Sequence, residues 1–413
     1  MKLFEDFRTT LENHSRQFWI VVFGVFLGTF GFNLIWAYFL IIISEQLNIG
    51  LTQAGSLMTI FSASMVFSYI FLSPFVDRIG RKPFMVVGLL GSGMSFLGFS
   101  LIHSYWGMAA VMIVTGLTSP FYQLGSDSMV ADLVPEKELE SAYAYTRVAM
   151  NVGFAVGPFA GGFLVSFSHQ LALQVAGLFT VLASVAIFLM VKETMPETFK
   201  PGVEAVDDGE GAEVKSGYAS VFRNKSFLVF SVAFLLTQFG YLPALSLGSL
   251  FAKSTLGIPE SVYGIVPAIN GVMNILFLVA VAGWAKGRNS LLVLGLGSLL
   301  YSLGTGSFYL NQGIGWMIAS MTVITIGELM VVPTAITFVS KSAPSDSRGT
   351  YLGVFNLMTM LVIGLAPVIF GLITDASNMR NAWLIMSAIS LIGCVIFFLA
   401  GRIQQQAPAA EAT

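Results

Sequence analysis

Apolar residues in this chain do not alternate at the period of a strand or of a one-faced surface helix. They come in blocks of about 20 residues or more, separated by short polar turns. A bilayer core about 30 Å thick needs about 20 apolar residues per helix. Twelve blocks meet that length, at about 18–43, 52–76, 84–102, 106–131, 142–167, 171–191, 227–251, 261–285, 290–309, 314–340, 350–374 and 381–401. They form two groups of six around one long polar stretch, 192–226, which holds Pro196, Pro201 and the acidic run Glu204, Asp207, Asp208, Glu210, Glu213. That composition predicts a linker rather than a domain. The expected fold is therefore an all-α membrane protein of twelve transmembrane helices in two pseudo-symmetric six-helix bundles, 1–191 and 227–413, joined by the linker 192–226.

Composition agrees with this pattern and narrows the function classes. Of 413 residues, 55% are hydrophobic and only 10% charged, against about 25% charged in an ordinary soluble domain. There is too little polarity to coat a soluble enzyme of this size. A net charge of −2 without a basic stripe argues against nucleic acid as a partner. The single cysteine, Cys394, cannot form an internal disulfide. The polar N-terminal stretch is not expected to be a signal peptide, since the apolar block after it is too long and has no small-residue cleavage site. Loops on the side of both termini carry seventeen Lys and Arg, and the opposite loops carry two, Lys253 and Arg380. The positive-inside rule then predicts cytoplasmic termini, a cytoplasmic linker and a place in the cell inner membrane. No Walker-type phosphate loop and no His/Cys cluster of metal-ligand spacing is found, so no cofactor or metal is expected. His14, His103 and His169 all lie near span ends.

The two groups of six repeat one another. Asp77-Arg-Ile-Gly-Arg-Lys joins spans 2 and 3, and Trp284-Ala-Lys-Gly-Arg-Asn joins spans 8 and 9. Gly80, Arg81 and Gly88 match Gly287, Arg288 and Gly295 at one offset; Pro135, Pro158 and Gly162 match Pro344, Pro367 and Gly371 at another. Repeated bundles of this kind suggest two halves that rock about a central site.

Several of these stretches resemble the major facilitator superfamily over essentially the whole chain. Asp77-Arg78-Ile79-Gly80-Arg81-Lys82 is similar to its loop 2–3 signature. Gly153 with Gly157-Pro158-Phe-Ala-Gly161-Gly162 resembles the span-5 signature of its drug/proton antiporters. Lys192-Glu-Thr and Gly327-Glu328-Leu-Met-Val-Val-Pro333 resemble Gram-positive multidrug antiporters of that group. One position departs from the pattern: Met112 stands where the span-4 signature has an arginine often linked to proton coupling. The resemblance implies a cytoplasmic gate built from Asp77, Gly80, Arg81 and Asp132, a latch that holds the outward-facing state. Opposite charges at an interhelix contact can serve as such a latch, although the basic residues alone would also set topology. Gly153, Gly157 and Gly161 recur every fourth residue, so with Gly162 they let a neighbouring helix approach, and Pro158 favours a kink. Hinge and plain close packing are both open readings of this stretch.

Charges inside the spans need a reason, because each costs at least about 2.5 kcal/mol at the helix centre on insertion scales. Glu328 lies at the middle of span 10, with no basic residue within twelve positions on its helix. It is a candidate proton carrier or a contact for a cationic ligand; the alternative is a permanently protonated acid bonded to a neighbouring helix. Asp127 and Arg147 lie at matching depths on spans 4 and 5. They are expected either to form a structural ion pair or to act in proton coupling with Arg147 as switch partner. The resemblance further implies a cavity lined by spans 1, 4, 7 and 10, on which Asn33, Tyr38, Tyr122, Gln123, Gln238 and Tyr241 are candidate substrate contacts. Asn270, Asn274 and Asn356 on spans 8 and 11 join them. For any one of the aromatics, core or lipid packing is the more ordinary role.

The function expected is proton-coupled secondary transport of a small molecule. Efflux of lipophilic or cationic compounds by alternating access comes first, in a protein acting as a monomer in the lipid bilayer. Two alternatives stay open: a proton-coupled transporter of a defined metabolite such as a sugar, peptide or siderophore, and a lipid flippase or transport-inactive membrane sensor.

Overall fold

The computed structural model describes residues 14–72, 75–195, 221, 223–344 and 348–406. Most of the linker 192–226 lies outside these, as do the side chains of Asp77 and Arg78. Every long element is a helix, as lipid requires of a chain whose backbone polar groups must be satisfied within each span. The helices are α1 (Arg16–Trp36, then Phe39–Leu47 after a break at Ala37 and Tyr38), α2 (Leu51–Phe67, running into a π turn Ser68–Leu72), α3 (Arg81–Leu101), α4 (Tyr105–Leu133), α5 (Leu139–Phe167) and α6 (His169–Met190). The second set is α7 (Lys225–Gln238, Leu242–Ser246 and Gly248–Leu256), α8 (Ile265–Ala285, after the turn Glu260–Tyr263), α9 (Ser290–Gly306), α10 (Ile314–Ser342), α11 (Arg348–Ala376) and α12 (Met379–Gln406). Eleven helices among the described residues are long and apolar enough to cross a membrane. The remaining one, α4, has the length, 29 residues. It is more polar because its second half carries Gln123, Ser126, Asp127, Ser128 and Asp132.

Two compact units form, one of Met1–Trp36 with Ala63–Ala205 and one of Ala37–Ser62 with Val206–Thr413. In the first, Phe18 and Val21 of α1 pack with Met85 of α3, Met129 of α4, Ala142 of α5 and Ile187 of α6. The span-5 glycines do what small residues do in a membrane interior. A Cβ added at Gly153 would sit 3.0 Å from the Phe30 backbone nitrogen, one at Gly157 would sit 3.0 Å from the Phe30 carbonyl oxygen, and one at Gly161 would overlap the Leu34 carbonyl. The backbones of α1 and α5 therefore touch along this stripe. Gly162 is buried beside it, and Pro158 lies within the continuous helix.

The second unit holds the helices after the linker and, with them, the hairpin formed by the end of α1 and the start of α2. Lys253 Nζ, near the end of α7, reaches Glu45 Oε1 at 2.6 Å and Glu260 Oε1 at 2.7 Å. Ser249 Oγ donates to the Ala37 carbonyl. Along α2, Thr52 Oγ1 donates to Asp375 Oδ2 at 2.6 Å, Thr59 Oγ1 to the Gly364 carbonyl at 2.7 Å, and Ser62 Oγ to the Met360 carbonyl, all on α11. Interhelical hydrogen bonds in membranes contribute about 0.6 kcal/mol each. The three together contribute about 2 kcal/mol, beside close backbone packing at Gly55, Gly364 and Gly371.

Candidate functional site

Glu328 sits at the middle of α10, about 20 Å from either helix end at 1.5 Å per residue. Three neutral donors converge on it. Tyr241 Oη donates to Oε1 at 2.7 Å, and Asn270 Nδ2 and Asn274 Nδ2 donate to Oε2 at 2.6 and 3.1 Å. Asn270 and Asn274 lie one turn apart on α8, so both amides face α10. Tyr241 stands in the interruption of α7 between Gln238 and Leu242, where the backbone stays right-handed but its hydrogen bonds tighten to i→i−3. Thr325 Oγ1, one turn before Glu328, accepts from Asn270 Nδ2 at 3.0 Å. The Tyr301 ring stacks on Tyr241 with centroids 5.2 Å apart and 17° between planes, and its buried hydroxyl has no hydrogen-bond partner. Among the described residues no basic side chain pairs with Glu328.

Neutral partners have a chemical consequence. A lysine or arginine would hold the carboxylate ionised, whereas Tyr and Thr hydroxyls can donate or accept and an amide offers both functions. This cluster can therefore satisfy a protonated or an ionised Glu328 by turning a hydroxyl or an amide. Sequence reading placed Tyr241, Asn270 and Asn274 among substrate contacts, and the structure brings them together on Glu328. It missed Thr325 and Tyr301, whose residue types are ordinary in a membrane helix.

The first unit carries the other half-buried acid within a span. Gln123 Nε2 donates to Asp127 Oδ1 at 2.9 Å and Oδ2 at 3.0 Å, one turn away on the same helix. Tyr143 Oη on α5 reaches only the Asp127 backbone carbonyl, at 3.1 Å. Ser126 Oγ and Tyr122 Oη nearby on α4 are buried without partners. Of the two readings offered for Arg147, a salt bridge with Asp127 is not formed: Arg147 is exposed, though close enough for its charge to act on the Asp127 carboxylate.

At the end of the first unit that carries loop 2–3, Arg81 Nε meets Asp132 Oδ2 at 3.1 Å, with Arg81 buried. Gly80 has φ +113°, a backbone that only glycine adopts freely. Two residues that sequence reading left without a role reach the same corner: Thr194 Oγ1 donates to Asp132 Oδ2 at 2.8 Å, and the Glu193 carboxylate accepts from the Arg81 and Lys82 backbone N–H groups, each at 3.1 Å.

The remaining candidates are spread out. Asn33 donates to the Thr29 carbonyl at 2.8 Å and packs against Gly157 in the α1–α5 contact. Tyr38 is fully buried beside Tyr263, within reach of the Glu260 carbonyl at 3.5 Å. Gln238 is buried with its side-chain oxygen unpartnered. Asn356 is exposed and shares no hydrogen bond with the Glu328 cluster. Met112, where the span-4 signature has arginine, is 1% exposed in the α4 core. Among the described residues no group of three or more His, Cys, Asp or Glu could hold a metal ion.

Comparison with known proteins places this geometry in a family. The chain is 25% identical over 382 residues, covering 87% of its length and 89% of the relative, to a Na(+), Li(+), K(+)/H(+) antiporter of Planococcus maritimus. It is 22% identical to the quinolone resistance protein NorA of Staphylococcus aureus (strain COL), over 93% of this chain and 96% of that one. In fold it resembles the crystal structure of a POT family transporter in complex with a thioalcohol-conjugated peptide, with a TM-score of 0.79, 16% identity, and 94% and 96% of the two chains covered. The sequence profile of the Major Facilitator Superfamily matches residues 21–367 and 293–412. The chain belongs to the Major Facilitator Superfamily and is a multi-pass membrane transporter, not an enzyme.

Proposed function

We propose that this transporter is a proton-coupled antiporter that exports lipophilic, cationic compounds by alternating access, with Glu328 as the group that carries the proton. The observation that supports it is the set of neutral, ambivalent partners around one mid-helix carboxylate. Ionised Glu328 attracts a cationic cargo. Protonated Glu328 no longer does, and its partners re-aim to satisfy the acid. Proton and cargo then compete for one site, which is the minimum an exchanger needs. Asp127 is the candidate for a second, weaker proton site. The protein works as a monomer in the inner membrane with both termini in the cytoplasm, as the basic loops predict.

A second reading keeps the site and changes the cargo. The oxygens of Glu328, Thr325 and Tyr241, and of Asn270 and Asn274 once their amides turn, are hard ligands suited to hard cations, and a relative is named as an antiporter of Na(+), Li(+) and K(+). One experiment separates these readings. Purified protein in liposomes, given an imposed pH gradient, is offered cationic dyes, Na+, K+, sugars and peptides. Dye accumulation that collapses with the gradient supports the first reading, and gradient-driven Na+ or K+ exchange without dye flux supports the second. Flux of sugar or peptide alone, or no proton-linked flux, overturns both.

A further inference from the structure

One carboxylate at the loop 2–3 corner does more than cap a helix. Glu193 Oε1 accepts from the backbone N–H groups of Arg81 at 3.1 Å, Thr194 at 2.9 Å and Met195 at 3.0 Å, and Oε2 accepts from that of Lys82 at 3.1 Å. It thus serves the first N–H groups of α3, where a helix dipole favours an anion, and folds its own strand of chain around the same charge. Next to it Thr194 adds a second donor to Asp132, whose other partner is Arg81. Gln17 Nε2 fastens the strand from the other side, donating to the Lys192 carbonyl at 2.7 Å. Gly80 makes the room: a Cβ there would lie 2.5 Å from Glu193 Oε2.

The repeat in the second unit solves the same capping problem locally, whereas α3 has Gly80 at its N-cap and no side-chain cap of its own. There the matching helix, α9, begins with Asn289, whose own Oδ1 accepts from the Leu291 and Leu292 N–H groups at 3.0 and 3.2 Å. Arg288, the counterpart of Arg81, turns back on Trp284, its guanidinium 4.4 Å from the ring centroid and its Nε on the Trp284 carbonyl. At the offset relating Pro135 to Pro344, Asp132 and Glu193 fall on Lys341 and Arg402. A local asparagine caps one helix permanently. In the other unit the cap comes from a residue 112 positions away, at the exposed start of the linker.

We infer that Lys192–Met195 is a releasable clasp, with Glu193 as a positioning residue for the Arg81–Asp132 contact, so that the linker start is undone and remade as loop 2–3 opens and closes. A cap delivered from elsewhere can be withdrawn, and water reaches Glu193 to solvate it when it leaves. The inference rests on loop 2–3 acting as a gate, and the test reads clasp and gate separately.

Met195→Cys in a Cys394→Ser background provides a labelling site, and fluorescein maleimide on inside-out vesicles reads its exposure. Loss of an N-terminal cap typically opens such a segment about fivefold, so Glu193→Gln and Glu193→Ala should label about fivefold faster, with Glu193→Asp restoring slow labelling. In the otherwise unaltered protein, labelling should also speed up when a pH gradient and the dye ethidium drive turnover. Ethidium flux should fall in Glu193→Ala with its pH profile unchanged. Equal labelling with and without Glu193 would show that no clasp exists. Faster labelling in the variants, but no change during turnover, would show a permanent cap and overturn release. Turnover-dependent labelling with unaltered flux in Glu193→Ala would show that the clasp moves without serving the gate, and would overturn its positioning role.

Discussion

Asp127 and Glu328 are both acids within the spans, one in each unit, yet their surroundings differ in kind. Glu328 is held by Tyr241 of α7 and by Asn270 and Asn274 of α8, so its geometry depends on three helices. Asp127 is held by Gln123 on its own helix and would keep that bond however α4 moved as a rigid rod. An acid whose hydrogen bonds come from other helices reports their positions, and any change in its charge is felt by them. One whose partner rides with it does neither. The difference supports the proposed assignment of the proton to Glu328, with Asp127 the weaker site.

The strongest way to break this contrast is to neutralise each acid. Glu328→Gln keeps the size of the side chain and should fold normally. It should still lose uphill, gradient-driven transport down to the background of empty liposomes. Asp127→Asn should reduce flux by less than about tenfold, since it removes one charge-assisted hydrogen bond. If Asp127→Asn is the more damaging of the two, the assignment is reversed. A smaller effect comes from the donors. Tyr241→Phe and Asn270→Leu each leave Glu328 one donor short, and each should lower coupled flux about tenfold, with the pH optimum displaced. Gln123→Leu should leave the optimum in place. Next in size is the double change Asp127→Asn with Arg147→Gln. Because no salt bridge joins these residues but the Arg147 charge still acts on Asp127, thermal melting should show a coupling between the two effects of less than about 1 kcal/mol. A larger coupling would mean that they meet in another state of the cycle. The smallest effect belongs to the hairpin: Thr59→Val, which removes one interhelical hydrogen bond, should cost about 0.6 kcal/mol in unfolding measurements.

Much of this was legible in the sequence, for physical reasons that differ by level. The helices could be read from the chain because lipid permits few ways to satisfy a backbone, so an apolar block of the right length is nearly an instruction. Glu328 stood out because a charge at that depth is costly without a purpose. Its partners were harder to read. Asn270 and Asn274 were visible as polar residues in span 8, but only the rotation of α8 about its axis turns them to α10. For Arg147, counting residues from a loop gave depth but no contact distance. Glu193 was visible only as part of the Lys192-Glu-Thr resemblance, with no role attached: a polar residue at an exposed linker start violates no rule, and its work depends on a helix more than a hundred positions away.

The hairpin Ala37–Ser62 sets a condition on how the protein is made. Its partners on α7 lie as far as 212 residues further along the chain, and those on α11 lie further still. At about 5–20 residues per second of synthesis, the hairpin waits roughly 10–40 s in the bilayer before α7 exists to receive it. During that interval Glu45 lacks Lys253, Thr52, Thr59 and Ser62 lack their acceptors on α11, and the first six helices are an incomplete object. Cutting the gene at the linker should therefore not yield two independent halves. The first fragment should be unstable on its own and be rescued when the second is synthesised in the same cell.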